Sequence, residues 1–128
     1  MPVYRGVRLV IQNSTYTALS VESAEVLQGT WTSEDGLITR GKQVAAQSAA
    51  SLTCASSILQ VGCEGFLRFG STAGMVHLHW TLPWVGRFRL DHEANPRHWA
   101  FKTILYEESA ANPAALVILS PPAPRRKR

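Results

Sequence analysis

Apolar and polar residues alternate with a period of two along much of this chain, and turn-forming residues such as Gly, Pro and Asn separate the alternating runs. The clearest runs are Val7-Leu9-Ile11, Leu19-Val21, Val76-Leu78-Trp80, Phe88-Leu90 and Trp99-Phe101-Leu105. This pattern is typical of short strands that bury one face. Several such strands at this spacing predict an all-β protein, built as an antiparallel β-sandwich or β-barrel.

Two segments depart from the alternation. The segment from Lys42 to Ser57 is rich in Ala, Ser and Gln, and we interpret it as a loop that leads into a strand near residues 51–54. After Leu119 the chain is rich in proline, which cannot donate to a sheet ladder. We therefore predict one domain over residues 1–119 and a Pro-rich basic tail over residues 120–128.

The formal net charge of +4 does not describe the surface of the predicted domain. Four positive charges lie in the tail, at Arg125, Arg126, Lys127 and Arg128, and nine basic and nine acidic residues remain without them. A domain that reads duplex nucleic acid usually carries a basic face of its own. Nucleic-acid binding is therefore expected, if at all, only through the tail.

The N-terminal residues contain no secretory signal, and no window holds the roughly 18 apolar residues of a membrane-spanning helix. We expect the protein to be cytoplasmic, or secreted by a non-classical route, and to act at membrane surfaces. Its two cysteines, Cys54 and Cys63, are too few for a disulfide framework. The sequence is compatible with two buried free thiols or with a single disulfide bridge between them.

An aromatic segment from His77 to Arg87 is the most informative feature of the sequence. Pro83-Trp84-Val85-Gly86 reads as a turn, which places Trp84 at a loop tip with Arg87 close behind it. An indole is favoured at the lipid headgroup level, and its ring can attract a quaternary ammonium such as choline. A guanidinium can bind a lipid phosphate. Trp80 shares a strand face with Val76 and Leu78, which favours the core.

Other candidates are less specific. Trp31 lies beside the polar turn of residues 32–36, so it is either membrane-facing or a core residue at a strand end. The histidines at 77, 79, 92 and 98 show no complete ligand spacing, and we expect neither a metal nor a cofactor. No nucleophile elbow, Walker loop or paired His-Glu metal motif is present, so the protein is not expected to be an enzyme.

The order of these motifs resembles that of the aegerolysins, small β-sandwich proteins related in shape to actinoporins. The resemblance runs from about Val7 to Ile118. It includes the apolar opening strand that ends at Asn13, the strand that ends at Cys54 and the Gly62-Cys63-Glu64-Gly65 turn. The segment Trp80-Thr81-Leu82-Pro83-Trp84, which is similar to a family Trp-Asp-Cys-Pro-Trp segment, is the most specific match.

The resemblance implies a protein that binds membrane lipid, often in sphingolipid-rich or sterol-rich membranes. Some members recruit a second protein with a membrane-attack-complex/perforin fold, and the two together form a pore. Trp84 is then implied as a lipid-facing aromatic residue and Arg87 as a headgroup contact. Trp80 and Trp99 are implied as further lipid-binding residues, and Trp31 completes the predicted set.

Three other binding functions are also compatible with the sequence. The aromatic surface could dock a protein partner or a second copy of the chain, which would make a homo-oligomer. Because Trp faces also stack on sugars, the sandwich could instead bind glycans. The basic tail could bind nucleic acid.

Overall fold

The computed structural model describes residues 5–31, 42–71, 74–95, 97, 99–107 and 111–122. These residues form ten strands and contain no helix. The strands are β1 (Arg5–Asn13), β2 (Leu19–Gln28), β3 (Thr30–Trp31), β4 (Gln43–Val44), β5 (Ser48–Ser56), β6 (Cys63–Ser71), β7 (Gly74–Leu82), β8 (Arg89–Ala94), β9 (Ala100–Tyr106) and β10 (Ala114–Ser120). The predicted all-β class is confirmed.

The strands make two five-stranded sheets. The first has the order β3-β5-β1-β10-β9 and the second has the order β4-β2-β6-β7-β8. Every pairing is antiparallel except that of β1 with β10, which is parallel. β5 begins at Ser48, earlier than the expected strand at residues 51–54, because its whole length pairs with β1. The loop expected from Lys42 is correspondingly shorter.

The core lies between the sheets and uses the alternation seen in the sequence. Val7, Leu9 and Ile11 of β1 and Val76, Leu78 and Trp80 of β7 all belong to one continuous buried cluster. Full burial of such a side chain stabilises the fold by about 1.5–3 kcal/mol. The cluster joins the two sheets into one body.

Asn13 explains why β1 ends where it does. Its buried side-chain amide donates to the backbone oxygens of Thr17 (2.9 Å), Val44 (3.1 Å) and Ala45 (3.2 Å), and its Oδ1 accepts from the backbone N–H of Thr15 (3.1 Å). A buried amide with all these partners satisfied holds two connections together. The family-like Asn at the end of the first strand is thus a structural residue.

The register gives the sandwich two distinct ends. Arg5 pairs with Ser56 and Cys63 pairs with Leu82, while the Cys63 thiol donates to the Arg5 backbone oxygen at 3.4 Å. Both sheets therefore meet at one end, here called the Trp84 end, which holds the connections at residues 57–62 and 83–88. The opposite end, called the Tyr16 end, holds the connections at residues 14–18 and 45–47.

β10 ends at Ser120, and residues 123–128 lie outside the described part of the chain. The boundary between the domain and the basic tail therefore stays a prediction.

Candidate functional site

The connection between β7 and β8 forms the most prominent loop of the Trp84 end. Gly86 has a φ of +128°, a conformation that a residue with a side chain rarely adopts, and it turns the chain back toward β8. Val85 is 82% exposed, Trp84 is half-buried and Phe88 is buried. The sequence predicts Trp84 at the tip of this loop. In the structure the tip is Val85, and Trp84 lies one residue before it.

Trp84 is held in place by Arg5. The Arg5 guanidinium donates to the Trp84 backbone oxygen through Nε at 3.1 Å and also through Nη2, and its central carbon lies 5.3 Å from the centre of the Trp84 ring. This arrangement combines charge-assisted hydrogen bonds with a cation–π contact. The loop is therefore fastened to the first residue of β1, a contact that no local sequence signal indicates.

A second exposed loop lies beside the first. In the connection between β5 and β6, Ile58 is 64% exposed and Leu59 is 63% exposed. The Val61 N–H donates to the Ile58 oxygen at 3.2 Å, which makes this connection a tight turn. A Cβ atom at Gly62 would lie 2.1 Å from the Leu82 backbone oxygen, so the two loops pack backbone against backbone.

The exposed large apolar side chains of the described residues are concentrated at the Trp84 end. Six of the eight lie on its loops or on the last residues of the strands that reach it: Leu27, Ile58, Leu59, Val85, Leu105 and Tyr106. The other two are Tyr16 and Met75. Exposed apolar residues scattered singly are ordinary, whereas a group on one surface marks an interaction site.

Positive charge accompanies this apolar group. Arg87 and Arg89 are exposed, and neither has an ion pair within the described part of the chain. Arg89 begins β8 opposite Thr81, so both arginines lie at the Trp84 end. This end therefore holds Arg5, which contacts Trp84, together with Arg87 and Arg89.

The structure separates the predicted lipid-binding residues into two groups. Trp84 and Arg87 lie at the surface of the Trp84 end. Trp80 is fully buried and Trp99 is 4% exposed, so both belong to the core and neither reaches the surface in this fold. The backbone of Trp31 lies in β3 beside Cys54, and its side chain lies outside the described residues.

Sequence reasoning missed Arg5, Ile58 and Leu59. The signal for the two aliphatic residues was a pair of large apolar side chains flanked by Ser57 and Gln60 in a connection. Arg5 carried no such signal, because its contact with Trp84 spans 79 residues of chain.

The two cysteines are free thiols buried beneath this end. The Cys63 thiol donates to the Arg5 oxygen and, at 3.7 Å, to the Cys54 oxygen. The interaction with the Cys63 thiol and burial raise the pKa of Cys54 far above its ordinary value. The same interaction lowers the pKa of Cys63, with smaller contributions from the Ser56 backbone and the Arg5 charge. Both side chains serve here as packing residues.

The outer face of the second sheet carries His77 and His79, whereas His92 pairs with buried Leu78 on the opposite face of that sheet. His79 Nε2 lies 2.9 Å from Glu64 Oε2, and His92 stacks on Phe101 with ring centres 4.0 Å apart. No group of three His, Cys, Asp or Glu side chains within the described ranges could hold a metal ion. His98 lies outside those ranges.

The described part of the chain holds no helix with the length and apolar character needed to cross a membrane. No protein-family model matches the chain, and no curated protein matches it in sequence. Solved structures do match its fold, among them the crystal structure of RahU protein in complex with a TRIS molecule. That match has a TM-score of 0.76 and 14% sequence identity, and it covers 98% of this chain and all of the RahU chain. The chain therefore has the β-sandwich fold of RahU, a protein of the aegerolysin family.

Proposed function

We propose that this protein is an aegerolysin-like membrane-lipid-binding protein that engages the bilayer through its Trp84 end. The observation that carries the proposal is the exposure of Ile58, Leu59 and Val85 on the two adjacent loops of the Trp84 end. The fold shared with an aegerolysin-family protein supports the same conclusion.

The mechanism is shallow insertion coupled to headgroup contact. Burial of a single large aliphatic side chain contributes about 1.5–3 kcal/mol, so three of them supply several kcal/mol toward membrane association. In this mechanism the Trp84 ring would lie at the headgroup level, where an indole is favoured. Arg87 supplies a guanidinium for lipid phosphate. No covalent chemistry is involved.

The test of this proposal is the Trp84→Ala variant in vesicle sedimentation. We expect the variant to lose binding to vesicles that contain sphingolipid and sterol, because it loses the interfacial ring. Its thermal transition should stay within a few degrees of the parent, since Trp84 is only half-buried. Tyr16→Ala is the matched control, because Tyr16 is 84% exposed at the opposite end. Unchanged sedimentation of folded Trp84→Ala would remove Trp84 from the site.

The aegerolysin-like proposal includes a two-protein mechanism, in which this protein targets a membrane and a perforin-fold protein forms the pore. Sedimentation with and without such a partner separates direct lipid binding from protein docking. Binding only in the presence of the partner, or binding to a glycan array but not to vesicles, would replace the lipid proposal by one of the two other readings of the surface.

A further inference from the structure

The environment of Trp84 argues against a choline headgroup. Recognition of a quaternary ammonium relies on an aromatic face that attracts a positive charge. Here the Arg5 guanidinium already lies 5.3 Å from the centre of the Trp84 ring and donates to the backbone of the same residue. A cation already held at the ring repels a second one, so Arg5 makes this position unfavourable for choline.

The charges around Trp84 favour an anion instead. Arg87 and Arg89 are exposed and have no ion pair within the described residues. The described acidic residues nearest this end are Glu64, whose carboxylate is held by His79 at 2.9 Å, and Glu107 at the end of β9. Among the described residues of this end, three arginines outnumber these two carboxylates.

The apolar residues indicate which kind of anionic ligand this surface binds. Ile58, Leu59 and Val85 are each more than half exposed and lie on the two adjacent loops. Aliphatic side chains gain little on a nucleic-acid backbone, whereas a membrane interface buries them directly below the phosphate level. A surface that combines such side chains with exposed arginines fits an anionic bilayer.

We infer that the Trp84 end prefers membranes that contain anionic phospholipid over membranes made of phosphocholine lipid alone. This inference rests on the proposed lipid-binding function and specifies the headgroup charge that the same surface takes. Arg87 and Arg89 supply the attraction, and Ile58, Leu59 and Val85 supply the insertion.

The experiment is sedimentation of the full chain with two kinds of vesicle, phosphatidylcholine alone and phosphatidylcholine mixed with phosphatidylserine. We expect tighter binding to the mixed vesicles and a loss of that gain at high salt, because exposed charges are screened. The double variant Arg87→Gln/Arg89→Gln should weaken binding to the mixed vesicles by about fivefold for each arginine removed.

Two controls separate this surface from other positive charge. Arg97→Gln/Lys102→Gln removes two exposed cationic residues that lie away from the two loops, and it should leave the gain intact. A full-length variant with glutamine at positions 125–128 removes the charge of the basic tail, and it should also keep the gain. Circular dichroism melting checks that each variant is folded.

The outcomes are distinct. Binding to both vesicle types without a gain from phosphatidylserine, or a gain that disappears with the tail charges alone, would overturn this inference and leave the proposed function standing. Absence of binding to these vesicles and also to vesicles with sphingolipid and sterol would overturn the proposed function together with this inference.

Discussion

At the scale of single residues, the buried Trp80 packs closely against Gly65. The two residues pair directly across β6 and β7. A Cβ atom at Gly65 would lie 2.7 Å from the Trp80 ring and 2.6 Å from the backbone oxygen of Glu25. The glycine therefore provides the space that lets a fully buried indole lie flat in the core.

We predict that Gly65→Ala destabilises the protein by about 1–3 kcal/mol, because neither the backbone of Glu25 nor the packed ring can move away cheaply. Gly70→Ala is the matched control, since the new methyl group would meet only the flexible carboxylate end of Glu22. Urea unfolding followed by tryptophan fluorescence measures both variants. Equal stability of the two variants would contradict the packing argument.

At this scale, the sequence predicts only those features whose residues are close together along the chain. Trp84 and Arg87 stand beside Pro83 and Gly86, so a turn with an aromatic and a basic residue could be predicted. The Arg5 contact could not be predicted, because Trp84 lies 79 residues further along the chain and only folding brings the two residues together.

At the scale of elements, the connection between β5 and β6 extends the candidate site from one loop to two. Ile58 and Leu59 are exposed on a turn that ends at Gly62, and this glycine packs on the backbone of Leu82 and Pro83. The sequence pattern predicts a loop before β5, but it gives no specific prediction for the connection after it. The structure makes this later connection part of the candidate surface.

We predict that Ile58→Ser/Leu59→Ser reduces vesicle binding about tenfold or more, because two side chains lose the apolar area that a membrane would bury. The thermal transition should not change, since both side chains are already exposed in the folded state. The control is Tyr16→Ser. A double variant that sediments like the parent would exclude this connection from the membrane contact.

Strand pairing shows the limit of sequence reasoning at this scale. A period of two indicates which residues face the core, and this agrees with the burial of Val7, Leu9 and Ile11. It does not indicate that β1 joins β10 in parallel, because such partners are chosen by packing across more than 100 residues of chain. The fold class was predictable from the pattern, and the order of strands was not.

At the scale of the whole molecule, the protein is polarised along the strand direction. Exposed apolar side chains and two arginines without an ion pair among the described residues share the Trp84 end, while the outer face of the second sheet carries His79, Glu64, Asp91 and Glu93. A charged sheet face is well suited to water. The proposed contact with a bilayer is therefore end-on.

We predict that a polarity-sensitive dye reports this orientation. Attached through Val85→Cys, the dye should shift to shorter emission wavelengths when vesicles are added, because position 85 enters the interface. Attached through Tyr16→Cys, it should keep its aqueous spectrum. The native Cys54 and Cys63 are buried and should not label in the folded protein. Similar shifts at both positions would indicate a protein that lies flat on the membrane.

The parallel pairing of β1 and β10 has a practical consequence for how the protein can be handled. Because the two strands run in the same direction, Arg5 lies at one end of the sandwich and Ser120 at the other. A fluorescent protein or affinity tag fused after residue 122 would leave the domain on the side away from the bilayer. The same fusion placed just before Arg5 would crowd the surface proposed to touch lipid, so carboxyl-terminal fusions are the better choice for imaging and capture.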